Sequence, residues 1–307
     1  GLTTVKYTHW NHFKRAADYS YSYVEEKDGS SAGSFGRPAG NAGELYIEAD
    51  PITTSQVKGG VHYQLDDALS VLSFVPVFGK AYDNSSIWFN FGLVDKAPIF
   101  DQVIQDWDAK MSADPKNEKF TSFELGLNTA SNDGSMAGKF NLYSTTWSDR
   151  IETKYVTSLD GDDNIVYLTG IQQVHSGIET EFAWQLNEMA RLDIGLSYGN
   201  WRYDDNAVGT YRDGDSDVEF GYALKDLKVG DMPQTMFLMG LTLTPAEGAN
   251  IAASYRYYDR NYADWNVSAR EYDPAELGDA DPNAEFPSSV WVAPSYGVLD
   301  IHATYSL

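Results

Sequence analysis

The chain contains no cysteine. Disulfide frameworks, thiolate metal centres and cysteine nucleophiles are excluded at once. Equally absent is any run of about 18 apolar residues, so no transmembrane helix is encoded. The most apolar stretch, residues 69–78, is short and interrupted by Ser73 and Pro76. Basic residues are scarce: 22 Lys and Arg face 45 Asp and Glu, a formal net charge of −23. A field of that sign repels phosphate backbones and argues against nucleic acid as a partner. No HExxH, P-loop, GxSxG or dinucleotide fingerprint occurs. The five histidines, His9, His12, His62, His175 and His302, show no triad spacing. The adjacent pair His175-Ser176 would point to opposite faces of a strand, which disfavours a hydrolase. The chain therefore reads as a non-enzyme, with no cofactor and no catalytic residue to nominate.

What is abundant is aromatic residues, at 14% with 21 Tyr and 8 Trp, and alternation. Phe123, Leu125 and Leu127 are apolar, while Ser122, Glu124, Gly126 and Asn128 between and around them are polar or small. Ile178, Phe182, Trp184 and Leu186 oppose Glu179, Glu181 and Gln185. Leu192, Ile194, Leu196 and Tyr198 oppose Asp193, Gly195, Ser197 and Gly199, and the pattern returns at 250–257 and 299–307. Successive strand side chains point to opposite faces, so each segment has one greasy and one polar side. This is an all-β chain, read as a single domain over residues 1–307.

The connections decide between a soluble sandwich and a membrane barrel. Short turn-like links fall at Asp66–Ala68, Ser131–Gly134, Asn187–Ala190 and Pro245–Ala249. Long polar links fall at roughly 98–117, 157–165, 204–218 and 260–293. Short and long alternate, as when one rim carries tight periplasmic turns and the other long extracellular loops. Aromatics gather toward segment ends, at Trp147, at 198–203 and at 255–262, which suits the lipid–water interface. The expected fold is an antiparallel transmembrane β-barrel in the outer membrane of a Gram-negative bacterium, with membrane lipid as its surroundings. If the apolar positions meet lipid, then Glu124, Glu179, Glu181, Asp193, Arg256 and Asp300 face the lumen. A charge on the lipid side would cost about 2–4 kcal/mol near the midplane.

Two acidic loops gather hard oxygen ligands, Asp160-Gly161-Asp162-Asp163 and Asp213-Gly214-Asp215-Ser216-Asp217. Asp213, Asp215 and Asp217 mimic the start of an EF-hand loop, but Val218 stands where glycine is required and no Glu falls at position 12. They are weak Ca²⁺ candidates beside the plainer reading of a solvated loop.

Several segments then resemble a known family, in its order. Lys96-Ala97-Pro98-Ile99-Phe100-Asp101, Asn117 through Gly126, Phe140-Asn141-Leu142-Tyr143 and Trp147-Ser148-Asp149-Arg150-Ile151 are similar to successive motifs of TonB-dependent receptors. Gly177-Ile178-Glu179-Thr180-Glu181, residues 192–203 and 233–245, Tyr255-Arg256-Tyr257-Tyr258 with Tyr262, and residues 296–305 continue the series. Residues 1–95 fit only as generic strands. The resemblance implies part of a 22-stranded barrel that imports a scarce nutrient: an iron–siderophore, cobalamin or an oligosaccharide. It also implies partners, namely the plug domain of the same receptor and the TonB complex. The family's plug, TonB box and closing hairpin have no match here, so the chain is expected to be a segment of a longer receptor, covering about 11 to 13 strands. The ligand is not legible. A smaller passive porin or hydrophobic-compound channel is the alternative, and a soluble Tyr-rich adhesin a more distant one.

Overall fold

A computed structural model of the chain describes residues 1–10, 46–65, 84–105, 110–111, 115–157, 163–213, 216–277 and 280–306. The strands are β1 (Leu2–Val5), β2 (Thr8–Trp10), β3 (Tyr46–Glu48), β4 (Ile52–Leu65), β5 (Asn84–Lys96), β6 (Ile104–Gln105), β7 (Lys110–Met111), β8 (Glu118–Ala130) and β9 (Met136–Thr157). They continue with β10 (Asp163–Asn187), β11 (Ala190–Tyr203), β12 (Ala207–Asp213), β13 (Ser216–Tyr222), β14 (Pro233–Ala246), β15 (Ala249–Tyr262), β16 (Glu271–Tyr272), β17 (Val292–Ala293) and β18 (Tyr296–Tyr305). Among the described residues helix is confined to α1 (Phe100–Val103), α2 (Pro274–Leu277) and single 3₁₀ turns at Val267–Ala269 and Pro282–Ala284.

The fold is the all-β antiparallel sheet that the alternation predicts. Fourteen strands join one sheet in the order β1-β4-β5-β8-β9-β10-β11-β14-β15-β17, with β18 also on β15. Among the described residues this path does not close on itself, as fits part of a barrel. Long strands succeed one another as hairpins because the turns between them are tight. At the β10–β11 turn the Asn187 side chain accepts the Met189 N–H at 2.9 Å. At the β8–β9 turn Ser131 Oγ donates to Asp133, and Gly134 takes a φ of +69°, a left-handed conformation that glycine adopts without cost. At β14–β15, Gly248 has a φ of +78° and lies so close to the Ser306 carbonyl that a Cβ would sit 2.3 Å from its oxygen. The link expected at Asp66–Ala68 lies outside the described residues.

Three differences from the sequence reading follow from backbone pairing. The link at 204–218 is not an open loop: β12 and β13 form a hairpin from Ala207 to Tyr222, and β12 also pairs with β10. Its acidic content hid an alternating Val208, Thr210 and Phe220, Tyr222. The segment end expected just after Trp147 is not an end either. Strand β9 runs on to Thr157, and Asp149, at φ +55°, takes up an irregularity within it. The described strands number 18, against an expected 11 to 13, because loop regions contribute strands of two to seven residues of their own. Strands β9 and β10 have 22 and 25 residues. A membrane crossing uses only about 9–11, so both extend well beyond a bilayer.

The chain divides into two compact units. The first holds residues 1–57, 94–120 and 149–151. In it β1 pairs with the start of β4 from Leu2↔Ser55 to Val5↔Ile52, and Tyr7, Ala49 and Val103 make a small core. The Tyr7 hydroxyl donates to the Pro98 carbonyl at 2.5 Å, and Gln102 reaches the Ile151 carbonyl at 3.2 Å. Lys96 pairs with buried Glu118 at 3.1 Å. The second unit holds residues 58–93, 121–148 and 152–307 and carries the candidate site.

Candidate functional site

Register fixes which side chains share a face. Across β10, β11, β14, β15 and β18, Glu181 lies opposite Gly195, then Leu238, Arg256 and Val298. One row along, Ala183 lies opposite Asp193, Gly240, Ser254 and Asp300. In the other direction Glu179 leads to Ser197, Met236, Tyr258 and Tyr296. Directly opposed residues point to the same side, so Glu179, Glu181, Asp193, Arg256 and Asp300 belong to one face. Side-chain bonds carry that face onto β9, β8 and β5. Lys139 pairs with Glu181 at 3.4 Å, Asn141 donates to Glu179 at 3.5 Å, Ser122 meets Thr145 at 2.8 Å, and Asn90 donates to Glu124 at 3.3 Å. All six charged residues singled out in the sequence therefore share a single face.

Much of the charge on this face is internally paired. Arg191 grips Asp193 through both Nε and a terminal nitrogen, at 2.7–3.1 Å, and Arg256 is bonded to Asp300. Sequence reasoning missed the partners Lys139, Arg191, Asn90 and Asn141, although each sits on the polar phase of its own strand. Toward the far end of the strands the same face turns aromatic. His175 packs at a tilt against Trp201 with ring centres 5.5 Å apart, Trp201 Nε1 donates to the Tyr143 hydroxyl at 2.9 Å, and His175 Nε2 lies 3.1 Å from Gln173 Oε1. His175 and Ser176 do fall on opposite faces, opposing Trp201 and Asn200 respectively.

The other face carries rows of Phe182, Ile194, Met239, Tyr255 and Leu299, and of Trp184, Leu192, Leu241, Ala253 and Ile301. Phe89 stacks on Phe123 at 6.4 Å on this side of β5 and β8. Many of these side chains stay exposed, Leu299 at 62% and Ile301 at 71%. On β10 the apolar phase spans 178–186, about nine residues. At about 3.3 Å per residue and a 45° tilt, that is a band some 20 Å tall.

Beyond the ionic rows lies a separate core. Leu168, Ile171, Tyr203, Ala207, Tyr222, Leu224, Leu227, Trp265 and Val267 are buried together. Tyr203 opposes Gln173 in the register and so stands on the charge-bearing face. Trp265 Nε1 donates to its hydroxyl at 3.1 Å. Lys154 pairs with Glu152 at 2.9 Å and with Asp264, its ammonium 5.2 Å from the Trp265 ring centre. Burial lowers the Lys154 pKa, but the Asp264 and Glu152 carboxylates outweigh it and leave it raised. Burial raises the Glu271 carboxyl, and a hydrogen bond from Tyr222 offsets only part of that. Buried Arg270 donates to the Ala223 and Pro287 carbonyls at 3.1 and 2.6 Å.

The Ca²⁺ candidates fall at the tip of the β12–β13 hairpin, where Asp213 opposes Ser216 and Asp217 opposes Arg212. Asp215 lies outside the described residues, as do the side chains of Asp213 and Asp217 and residues 160–162. Among the described residues no three His, Asp or Glu side chains converge as a metal cluster.

The sequence matches the family described as TonB dependent receptor-like, beta-barrel, over residues 53–307. No curated protein matches it. Two solved structures are similar in part. A copper transporter, OprC, is 14% identical with a TM-score of 0.41, over 85% of this chain and 40% of its own. The toluene transporter TodX of P. putida is 11% identical with a TM-score of 0.34, over 84% of this chain and 59% of its own. The chain thus spans only about two fifths to three fifths of their lengths.

Proposed function

The chain belongs to the TonB-dependent receptor-like β-barrel family, and from that premise we propose that it supplies wall and outer loops to an energy-coupled importer. The family resides in the outer membrane of Gram-negative bacteria, and this chain with it. The observation that carries the reading is the division of one sheet into two chemistries. Glu124, Glu179, Glu181, Asp193, Arg256 and Asp300 line the wet lumen, and the rows of Phe182 and Trp184 meet lipid. Charges that already pair along the wall lose less on desolvation than lone charges when a second protein body slides past them. This suits a surface against which a plug domain moves when the TonB complex pulls on it. The cargo is a scarce, bulky solute: an iron chelate, cobalamin or an oligosaccharide. It first meets the loop core around Trp265 and the His175–Trp201–Tyr143 cluster.

The test is uptake by cells whose nutrient supply depends on this receptor, using labelled iron chelates, cobalamin and glycans in turn. One of these is taken up in cells with an intact TonB complex and is lost when that complex is deleted. Uptake that persists without it makes the protein a passive channel.

A further inference from the structure

The apolar face ends abruptly at one level, and the residues just beyond that level are basic. Its last apolar row runs through Ile178 and Tyr198, and Thr235 and Asp259 complete that row. One step further along β11 the same face presents Asn200, and two steps further Arg202, which bridges Lys228 on the neighbouring stretch. Lys228 reaches back to Asn200 Oδ1 at 2.6 Å. From β15, Arg260 is swung onto this face by a left-handed φ of +52°. Its guanidinium lies 4.0 Å from the Tyr198 ring centre and donates to Thr235 Oγ1 and to the Gly199 and Gln234 carbonyls, at 2.7–2.8 Å. Three cations are thus drawn together in a chain with twice as many acidic as basic residues.

Two of the three are held by neutral groups. Arg202 has carboxylates, Asp204 at 2.7 Å and Asp226 at 3.2 Å, and Asp259 accepts the Arg260 backbone N–H at 2.8 Å, whereas the Arg260 guanidinium and the Lys228 ammonium bond to a hydroxyl, an amide oxygen and backbone carbonyls. Burial and the nearby Arg260 and Arg202 charges push the Lys228 ammonium below its ordinary value, with Asp226 offsetting only part. Asp204, Asp226 and Asp259 balance the three cations in number, but Lys228 still feels more repulsion from its two neighbours than attraction to Asp226 and gains from a further anion. The height of the cluster selects which one: Tyr198 is the ninth residue of β11, counted from the tight turn at Asn187–Ala190, about where a crossing of 9–11 residues emerges among headgroups. Guanidinium and ammonium groups in such a setting bind phosphate oxygens through charge-assisted hydrogen bonds.

We propose that Arg260 and Lys228, with Arg202 beside them, bind the phosphate of an outer-leaflet lipid whose acyl chains lie along the apolar face below Tyr198. The proposal rests on that face meeting lipid, and is separate from what the receptor imports.

The test is native mass spectrometry of the whole receptor in detergent, incubated with phosphatidic acid or with phosphatidylcholine of the same chain length. Expected are retained phosphatidic acid on the wild type, about a tenfold loss in R260Q/K228Q, and retention in the charge-conserving R260K/K228R. Excess inorganic phosphate leaves the adduct in place. Equal retention by R260Q/K228Q, or equal binding of phosphatidylcholine, overturns the proposal. So does displacement by inorganic phosphate, which would make this a free-anion site. Retention of neither lipid also overturns the proposal.

Discussion

Trp265 and Tyr203, 62 positions apart, are joined by a buried hydrogen bond of 3.1 Å from the indole N–H to the phenol. That bond ties the β15–β18 connection to the end of β11, and the buried cluster around it makes the two longest described connections one packed body rather than two free loops. Trp265→Ala is expected to destabilise this body by about 3–5 kcal/mol and leave the strands paired. Limited proteolysis of intact protein would show faster cleavage within 204–232 and 263–295, with an unchanged far-ultraviolet strand signal.

Lys154 holds the same body to β9 through Asp264 and Glu152. A lysine whose folded pKa is raised contributes stability that is complete below its ordinary 10.5 and is lost as pH rises through the raised value. Protease protection of residues 263–295 should therefore fall above pH 10.5 in the wild type. Lys154→Met should lower it at neutral pH and remove the further fall.

Glu271 gives a pH dependence of the same direction, but here it is the charged form that destabilises. Its carboxyl is held above the usual 4.5, so the folded loop prefers it protonated, and its contribution declines as pH rises past 4.5 through the raised value. Glu271→Gln should make loop protection greater at pH 7 than in the wild type and flatten this dependence between acidic and neutral pH. Hydrogen exchange of the β13 and β16 amides reads it directly.

The two faces of one strand pair should respond differently to the same charge. Leu241 lies on the apolar face, and Ser254, on the neighbouring strand, faces the other way with Asp300. Leu241→Arg is expected to cost about 2–4 kcal/mol in vesicles and Ser254→Arg much less. Equilibrium unfolding in urea from phospholipid vesicles measures both.

The sheet was legible in the sequence where its cause is local. Alternation around Glu179 and Glu181 fixes which side chains share a face within a strand, and Asn187–Ala190 marks a tight turn by its residues alone. The six wall charges could be grouped for the same reason. The loop body was not legible, because Trp265, Tyr203, Lys154 and Leu168 acquire meaning only when segments tens of residues apart meet. The β12–β13 hairpin was obscured by acidic residues that its short strands carry alongside Val208 and Tyr222. Arg260 reads from sequence as the end of an aromatic strand, and only its left-handed backbone brings it over Tyr198.

The absence of cysteine makes the division between wet and greasy faces directly measurable. Single cysteines placed in turn at 178–182 and 193–197, in receptor embedded in native outer membranes, can be titrated with a charged, membrane-impermeant thiol reagent. The expected result is a period of two: rapid modification at positions 179, 181, 193, 195 and 197, and protection at 178, 180, 182, 194 and 196. Uniform reactivity along both strands, or the reverse phase, would contradict a wall with Glu179, Glu181 and Asp193 in water and Phe182 and Ile194 in lipid.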